Sequence, residues 1–346
     1  MAEVRCSREM KAEILSTHAP VLFKAAVKRA ADLLRAGEVI ALPTETVYGL
    51  AANALDAGAV SRIYDIKGRP GRNPIIVHVA GVEMAGRCVS HWTVAADKLA
   101  RAFWPGPLTL VLPRAEVIPD IVTAGGRTVG VRWPSHPFIQ AVIRECDFPL
   151  DAPSANPSTR TSPTQAEHVR NYFGELIPLI VDGGQSQVGI ESTVIDLTAS
   201  PPRILRPGMI HAESLRAVLG EVSNDRCHVS GGRELPSPGL LPKHYAPRAG
   251  LMILHWCDDA DLRRQLDTLR VAPATCCVIA HSRIPSGSDF CRTSVIPRDA
   301  VAFARAIYAE LHQCDEAGAT SIVVERLPEK NEWRAIADRL KRASQK

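Results

Sequence analysis

The sequence predicts an α/β protein built in two parts, a mixed α/β domain followed by a small parallel-sheet domain. Short apolar runs of strand length recur through the chain, separated by stretches whose apolar residues fall at i, i+3, i+4 and i+7. Residues 220–247 are interrupted by Gly220, Ser230-Gly231-Gly232, Pro236, Pro238-Gly239, Pro242 and Pro247, which break any period. The chain has 346 residues, beyond the roughly 250–300 at which single cores stop growing.

In the first part, Val27, Ala30, Ala31 and Leu34 share one helical face, so residues 26–38 are expected to form a helix stopped by Gly37. Strands are expected at 39–42, 75–79, 108–112, 129–132, 149–152, 179–182, 193–197 and 203–206. One helix must end before Trp104-Pro105-Gly106-Pro107, and another begins at Pro137. A third is expected from Ser162-Pro163-Thr164-Gln165, with Ser162 as cap and Gln165 closing a capping box. Beyond the interruption, strands at 251–255, 276–280 and 321–325 alternate with helices at 258–269, 298–314 and 331–343. Asn331 is the expected cap of the last, and Val301, Ala304, Tyr308 and Leu311 the apolar face of the middle one. Strict alternation indicates a Rossmann-like parallel sheet. Gly-x-Gly-x-x-Gly is missing after its first strand, which argues against dinucleotide binding there. The boundaries read from the sequence are 22–211, 212–247 as linker and lid, and 248–346.

Composition narrows the function classes. The chain is 46% hydrophobic and 23% charged, with mean hydropathy −0.02, as expected of a globular protein. A net charge of +4 suits polyanionic partners such as ATP or tRNA, yet dedicated nucleic-acid binders are more lopsided. Nine cysteines without a Cys-x-x-Cys pair fit reduced thiols in a cytoplasmic protein better than a disulfide framework or a zinc site. Charged residues in the first 20 positions argue against a signal peptide, and no apolar run of about 18 residues predicts a membrane span.

Five polar clusters could carry chemistry. Pro43-Thr44-Glu45-Thr46-Val47-Tyr48-Gly49-Leu50 follows a strand and offers hydroxyls and a carboxylate, or simply a capped turn. Lys67-Gly68-Arg69-Pro70, with Asn73-Pro74 and His78 beyond, suits phosphate oxygens, or is a solvated basic turn beside a core histidine. Thr128-Val129-Gly130-Val131-Arg132 ends a strand on an arginine able to grip a carboxylate or to neutralise a neighbouring acid. Ala152-Pro153-Ser154-Ala155-Asn156-Pro157 leads to the helix start at Ser162, an anion site or a set of turns. Glu191-Ser192-Thr193-Val194 precedes one strand and Arg206 closes the next. Walker A, His-Glu-x-x-His and Gly-x-Ser-x-Gly motifs are missing.

In their joint order these motifs, together with Phe-Trp-Pro-Gly-Pro-Leu-Thr and Ser-Pro-Thr, resemble the YrdC-like family of threonylcarbamoyl-AMP synthases over about residues 24–210. Ser237-Pro238-Gly239 with His244-Tyr245-Ala246-Pro247 looks like the linker of its two-domain members, and residues 331–340 like their C-terminal domain. The first 20 residues have no counterpart. The resemblance implies condensation of L-threonine, bicarbonate and ATP into threonylcarbamoyl-AMP and pyrophosphate, for modification of the adenosine beside the anticodon of tRNA by a partner transferase. It implies Lys67 and Arg69 as catalytic cations. Arg69, Asn73, Thr128, Ala152, Ser154, Asn156, Ser162, Arg206 and Tyr245 would form the ATP site. Thr46, His78, Arg132, Ser154 and Ser192 would hold L-threonine, and Mg²⁺ would arrive with ATP rather than on protein side chains. Two other classes compete: an RNA-binding module, disfavoured by 5% aromatic content, and a carbamoyl-phosphate-dependent transferase of the hydrogenase-maturation type, whose zinc-finger cysteine pairs are missing here.

Overall fold

The structure, a computed structural model, describes residues 11–223, 237, 243–287 and 289–345. Much of the predicted linker, 224–236 and 238–242, lies outside the described residues. The first part runs β1 (Glu13–Ser16), α1 (Pro20–Arg35), β2 (Ile40–Leu42), β3 (Gly49–Asn53), α2 (Ala57–Lys67), β4 (Ile76–His78), α3 (Val82–Cys88), α4 (Val94–Phe103), β5 (Leu108–Pro113), β6 (Thr128–Arg132), α5 (Pro137–Cys146), β7 (Leu150–Asp151), α6 (Ala166–Phe173), β8 (Leu179–Asp182), β9 (Thr193–Asp196), β10 (Arg203–Arg206) and α7 (Ala212–Leu219). Its ten strands form one mixed sheet in the order β1-β8-β2-β3-β7-β4-β6-β5-β9-β10.

The second part comprises β11 (Gly250–Leu254), α8 (Asp259–Leu269), β12 (Cys276–Ala280), β13 (Arg292–Val295), α9 (Ala300–Glu316), β14 (Ser321–Glu325) and α10 (Arg334–Ala343). Its four strands are all parallel, in the order β11-β14-β12-β13. Alternate residues of the same strands feed opposite faces. Leu251, Cys277, Ile279 and Val324 pack with α9 and α10, whereas Cys276, Val278, Ala280 and Val323 pack with α8. This is the period of two expected of a strand buried on both sides.

Most predicted strands lie within a residue or two of their expected positions. Five expectations need correction. Helix α1 begins six residues earlier than predicted, because Pro20 sits in its first turn, where its fixed φ suits a helix start. Ser162 caps nothing: α6 starts at Ala166, and the Ser162 hydroxyl donates instead to Glu191. Asn331 is not a cap either; it opens a 3₁₀ turn, and its side-chain amide donates to Glu213. Val301 is 60% exposed, and Phe303 and Ile307 fill that face beside Ala304 and Tyr308. Strict alternation fails once, since β13 follows β12 directly in the element order.

The register gathers the polar clusters. Parallel pairing of β4 with β6 sets His78 beside Arg132. Antiparallel β7 lies between β3 and β4, and an isolated bridge joins Gly49 to Ser154. The loop before β3 and the loop after β7 therefore meet. Helix α2 is held by Asp56, whose carboxylate accepts from the Gly58 and Ala59 N–H groups, and is stopped by Gly68 at φ +57°. That stop places Lys67 and Arg69 on either side of the turn.

The two parts touch through α9. Gly189, at φ +82°, backs onto this helix so closely that a Cβ would stand 2.3 Å from the Ala304 carbonyl oxygen. Gly189→Ala is expected to cost more than about 1 kcal/mol through strain and lost docking. Gly71→Ala, whose Cβ would meet nothing within 4 Å, should be close to neutral, as urea unfolding of both variants would show.

Candidate active site

Thr44 organises the loop between β2 and β3. Its hydroxyl donates to the Val47 carbonyl at 2.6 Å and accepts from the Thr46 and Val47 N–H groups. The turn presents Thr46, whose hydroxyl accepts from Arg132 at 3.0 Å. A second amino group of Arg132 lies 2.7 Å from Glu45 Oε1, an ion pair set off the hydrogen-bonding line. Arg132 and Glu45 are both buried. The guanidinium beside Glu45 holds its carboxyl below the ordinary range against the opposing effect of burial.

His78 lies beside this pair. Its Nδ1 is 3.1 Å from the Ile76 carbonyl, which can only accept, so Nδ1 carries the proton and Nε2 a lone pair. Burial, reinforced by Arg132, pushes its pKa down to about 3, so the ring is neutral and Nε2 can accept but not donate.

The cationic cluster divides. Arg69 lines the same cavity as Thr46, His78 and Arg132. Its Nε donates to the Asn73 carbonyl at 2.9 Å and an amino group to the Pro74 carbonyl at 2.6 Å. Lys67 is buried and outside the cavity lining; its ammonium donates to the carbonyls of Ser154 and, at 2.5 Å, Asn156. Desolvation, with Arg69 nearby, holds its pKa well below the usual lysine value. Lys67 thus shapes the 154–156 loop.

Ser192 is oriented from two sides, by the Thr109 hydroxyl at 2.8 Å and an Arg206 amino group at 3.0 Å. Arg206 Nε also donates to the Ser192 carbonyl. Glu191 is more heavily engaged. Its Oε1 accepts from Ser162 at 2.5 Å, and its Oε2 accepts from Tyr308 at 3.1 Å and Arg339 at 2.8 Å. Tyr308 and Arg339 belong to α9 and α10, so the second part supplies two of these three partners. The Arg339 guanidinium lies 5.0 Å from the centre of the Tyr245 ring.

Residues 244–246 are pinned to the segment before α6. Thr161 N–H donates to the Ala246 carbonyl and Ala246 N–H to the Thr159 carbonyl at 2.8 Å. Tyr245 is fully buried in the left-handed region at φ +64°, with its hydroxyl unpartnered. His244, beside it, lines the cavity with an unpartnered Nδ1.

One cavity is therefore lined by Thr46, Arg69, His78, Arg132, Ala152, Ser154, Ser192 and Arg206 from the predicted set. Lys67, Asn73, Asn156, Ser162 and Tyr245 support its walls without lining it. Thr128 stands at the far end of β6 from Arg132, opposite Pro113, and is not brought to the cavity. Sequence reasoning overlooked Thr44, Glu191 and His244 as lining residues. Glu191 and His244 were within reach, as immediate neighbours of Ser192 and Tyr245 in motifs already singled out. The acid partner of Arg339 lies 148 positions away along the chain, and no local signal marks it.

Residues 32–208 match the Sua5–YciO–YrdC family, described as telomere recombination. Residues 210–345 match the family described as threonylcarbamoyl-AMP synthase, C-terminal domain. The chain belongs to the Sua5–YciO–YrdC family. It is 40% identical over 326 residues to threonylcarbamoyl-AMP synthase of Pyrococcus abyssi, covering 92% of this chain and 94% of that protein. With the Bacillus subtilis protein of the same name it is 38% identical, covering 95% and 94%. The crystal structure of P. abyssi Sua5 complexed with L-threonine superposes with TM-score 0.86 at 36% identity, covering 96% of each chain. Among the described residues, no helix is long and apolar enough to cross a membrane.

A pair of histidines at the interface between the two parts makes pH a probe of their docking. His168 and His312 stack at 3.8 Å between ring centroids. Burial and mutual repulsion push His168 down to about 3, and burial pushes His312 down to about 4. The unfolded chain protonates both near pH 6.5. The stability of the neutral pair is therefore complete above about pH 6.5 and is lost as pH falls toward 4 and 3. The limiting slope is about 1.4 kcal/mol per pH unit for each proton. Unfolding free energies between pH 7 and 4.5 should fall less steeply in His312→Gln than in the parent chain.

Proposed function

We propose that the chain is an L-threonylcarbamoyladenylate synthase, converting L-threonine, bicarbonate and ATP into threonylcarbamoyl-AMP and pyrophosphate. One observation carries the reading: a single cavity is lined both by Arg69, Ser154 and Arg206 and by Thr46, His78, Arg132 and Ser192. The first set suits phosphate oxygens and the second a small hydroxylated amino acid.

In this reading Arg132 receives the threonine carboxylate, exchanging part of its engagement with Glu45 for the ligand. His78, fixed as an acceptor, takes the threonine hydroxyl proton in a hydrogen bond, while Ser192 stays oriented by Thr109 and Arg206. An analogue lacking the hydroxyl leaves a buried acceptor unpaired and is rejected accordingly. The carbamate formed on the threonine amine attacks the α-phosphorus, an oxygen–phosphorus bond forms, and pyrophosphate departs. Such a transfer needs positioning and positive charge rather than a protein nucleophile. Among the described residues, no cysteine lines the cavity.

Arg69 and Arg206 stabilise the charge developing on the phosphates. Lys67, Asn73, Asn156 and Ser162 hold the walls that receive the nucleotide, with Tyr245 and His244 closing over it. Thr128 enters this assignment only by its place in the motif. Among the described residues no group of three or more His, Cys, Asp or Glu forms a metal cage. Glu191, the acid lining the cavity, is already engaged. In this reading Mg²⁺ accompanies the triphosphate.

The cavity as it stands measures about 50 Å³, room for a water or two. In this reading the 243–247 segment, at the end of the predicted linker, whose first residues 212–219 form α7 of the first part, lifts from residues 159–161 to admit substrate, and its closure shields a hydrolysable adenylate from water. The product then passes to a transferase acting on the anticodon loop of tRNA. Any direct contact of this chain with RNA would be weak, and its place is the cytoplasm.

Pyrophosphate release should depend jointly on threonine and bicarbonate. Equal ATP turnover with threonine omitted, followed by a coupled pyrophosphate assay, would contradict the reading. Arg69→Ala should lower kcat/KM on the order of a hundredfold, as for loss of one preorganised charge contact, with an unchanged circular dichroism spectrum.

A further inference from the structure

A second cavity, of about 440 Å³, opens in the parallel-sheet part, far roomier than the catalytic cleft. Pockets of roughly 300–1,000 Å³ are the size that encloses small ligands. Its place in the topology is informative. Strands β11 and β14 are neighbours, yet the chain leaves them toward opposite faces, from β11 into α8 and from β14 toward α10. Crevices outside the carboxyl ends of two such strands are where open α/β sheets take ligands.

The lining has two chemistries. Ile253 of β11 with the buried Trp333 and Leu340 makes an apolar floor. Arg326, Lys330 and Arg334 form a cationic side, against one acid, Glu329. None of the three cations forms an ion pair among the described residues, although Arg263, Arg283, Arg292 and Arg339 of the same part all face carboxylates. Three exposed cations without a carboxylate partner, lining one partly apolar cavity, fit a ligand with a negative head and a flat or apolar body.

We propose that this cavity binds a small organic anion, its charged group on Arg326, Lys330 and Arg334 and its apolar body over Ile253, Trp333 and Leu340. The site is separate from the adenylate chemistry and does not depend on that reading.

Anilinonaphthalene sulfonate, which combines both features, is the probe to titrate against the full chain. Lys330→Glu/Arg334→Glu, both exposed positions, should weaken its binding at least tenfold while leaving threonine-dependent pyrophosphate release unchanged. Trp333→Phe should reduce energy transfer from tryptophan to the bound dye by more than Trp92→Phe does, yet leave the directly excited titration in place. AMP should displace the dye at a concentration at least tenfold below that of inorganic phosphate. Unchanged affinity in the charge-reversed variant, or unchanged energy transfer in Trp333→Phe, would overturn the assignment. Equal displacement by phosphate and AMP would overturn its apolar half.

Discussion

The Glu191 carboxylate is the constraint on which the rest of the structure turns. It is buried, and its partners come from both parts of the chain: Ser162 from the first, Tyr308 and Arg339 from the second. A carboxylate removed from water is costly unless every lone pair is met, and here hydrogen bonds and two arginines hold its pKa below the ordinary value against the cost of burial. Removing one partner from such a pair leaves a charge stranded, typically at about 3–5 kcal/mol. The second part is thereby tied electrostatically to the wall of the active site. Its α10 arginine reaches past Glu191 to the Pro207 carbonyl and lies against the Tyr245 ring.

The same logic appears at smaller scale around Arg132. Glu45 and Thr46, adjacent in one loop, both engage this buried side chain, one by an ion pair and the other by a hydrogen bond. Of the two interpretations of a strand-end arginine, the structural ion pair is the one present here, and it stands at the cavity wall. The ion pair with Glu45 and the hydrogen bond to Thr46 hold the guanidinium in place on the cavity wall. Lys67 shows the opposite outcome for a residue of the same charge. Its donors are satisfied by two backbone carbonyls, and its influence on the site is exerted through the loop it holds.

Much of the fold was legible in the chain because burial on a strand or helix leaves a period. Cys276–Ala280 and Ser321–Glu325 have the bounds expected, and Val27, Ala30, Ala31 and Leu34 all lie in the core. Strand β3 escaped detection because Gly49 and the alanines at 51 and 52 carry neither β-branched residues nor alternation. The caps assigned to Ser162 and Asn331 failed for a different reason. Short polar residues favour helix starts only while nothing tertiary competes, and here the carboxylates of Glu191 and Glu213 took them.

The sequence by itself determined the α/β class, the parallel second sheet, the family and most of the residues that line the cavity, because local period and ordered motifs are written along the chain. Tertiary structure alone decided which of those residues face the cavity and which brace its walls, as the divergent fates of Arg69 and Lys67 illustrate. It also decided that Arg339, 148 positions from Glu191, belongs to the same electrostatic unit. Desolvation is a property of what surrounds a group in space, and spacing along a chain does not encode it.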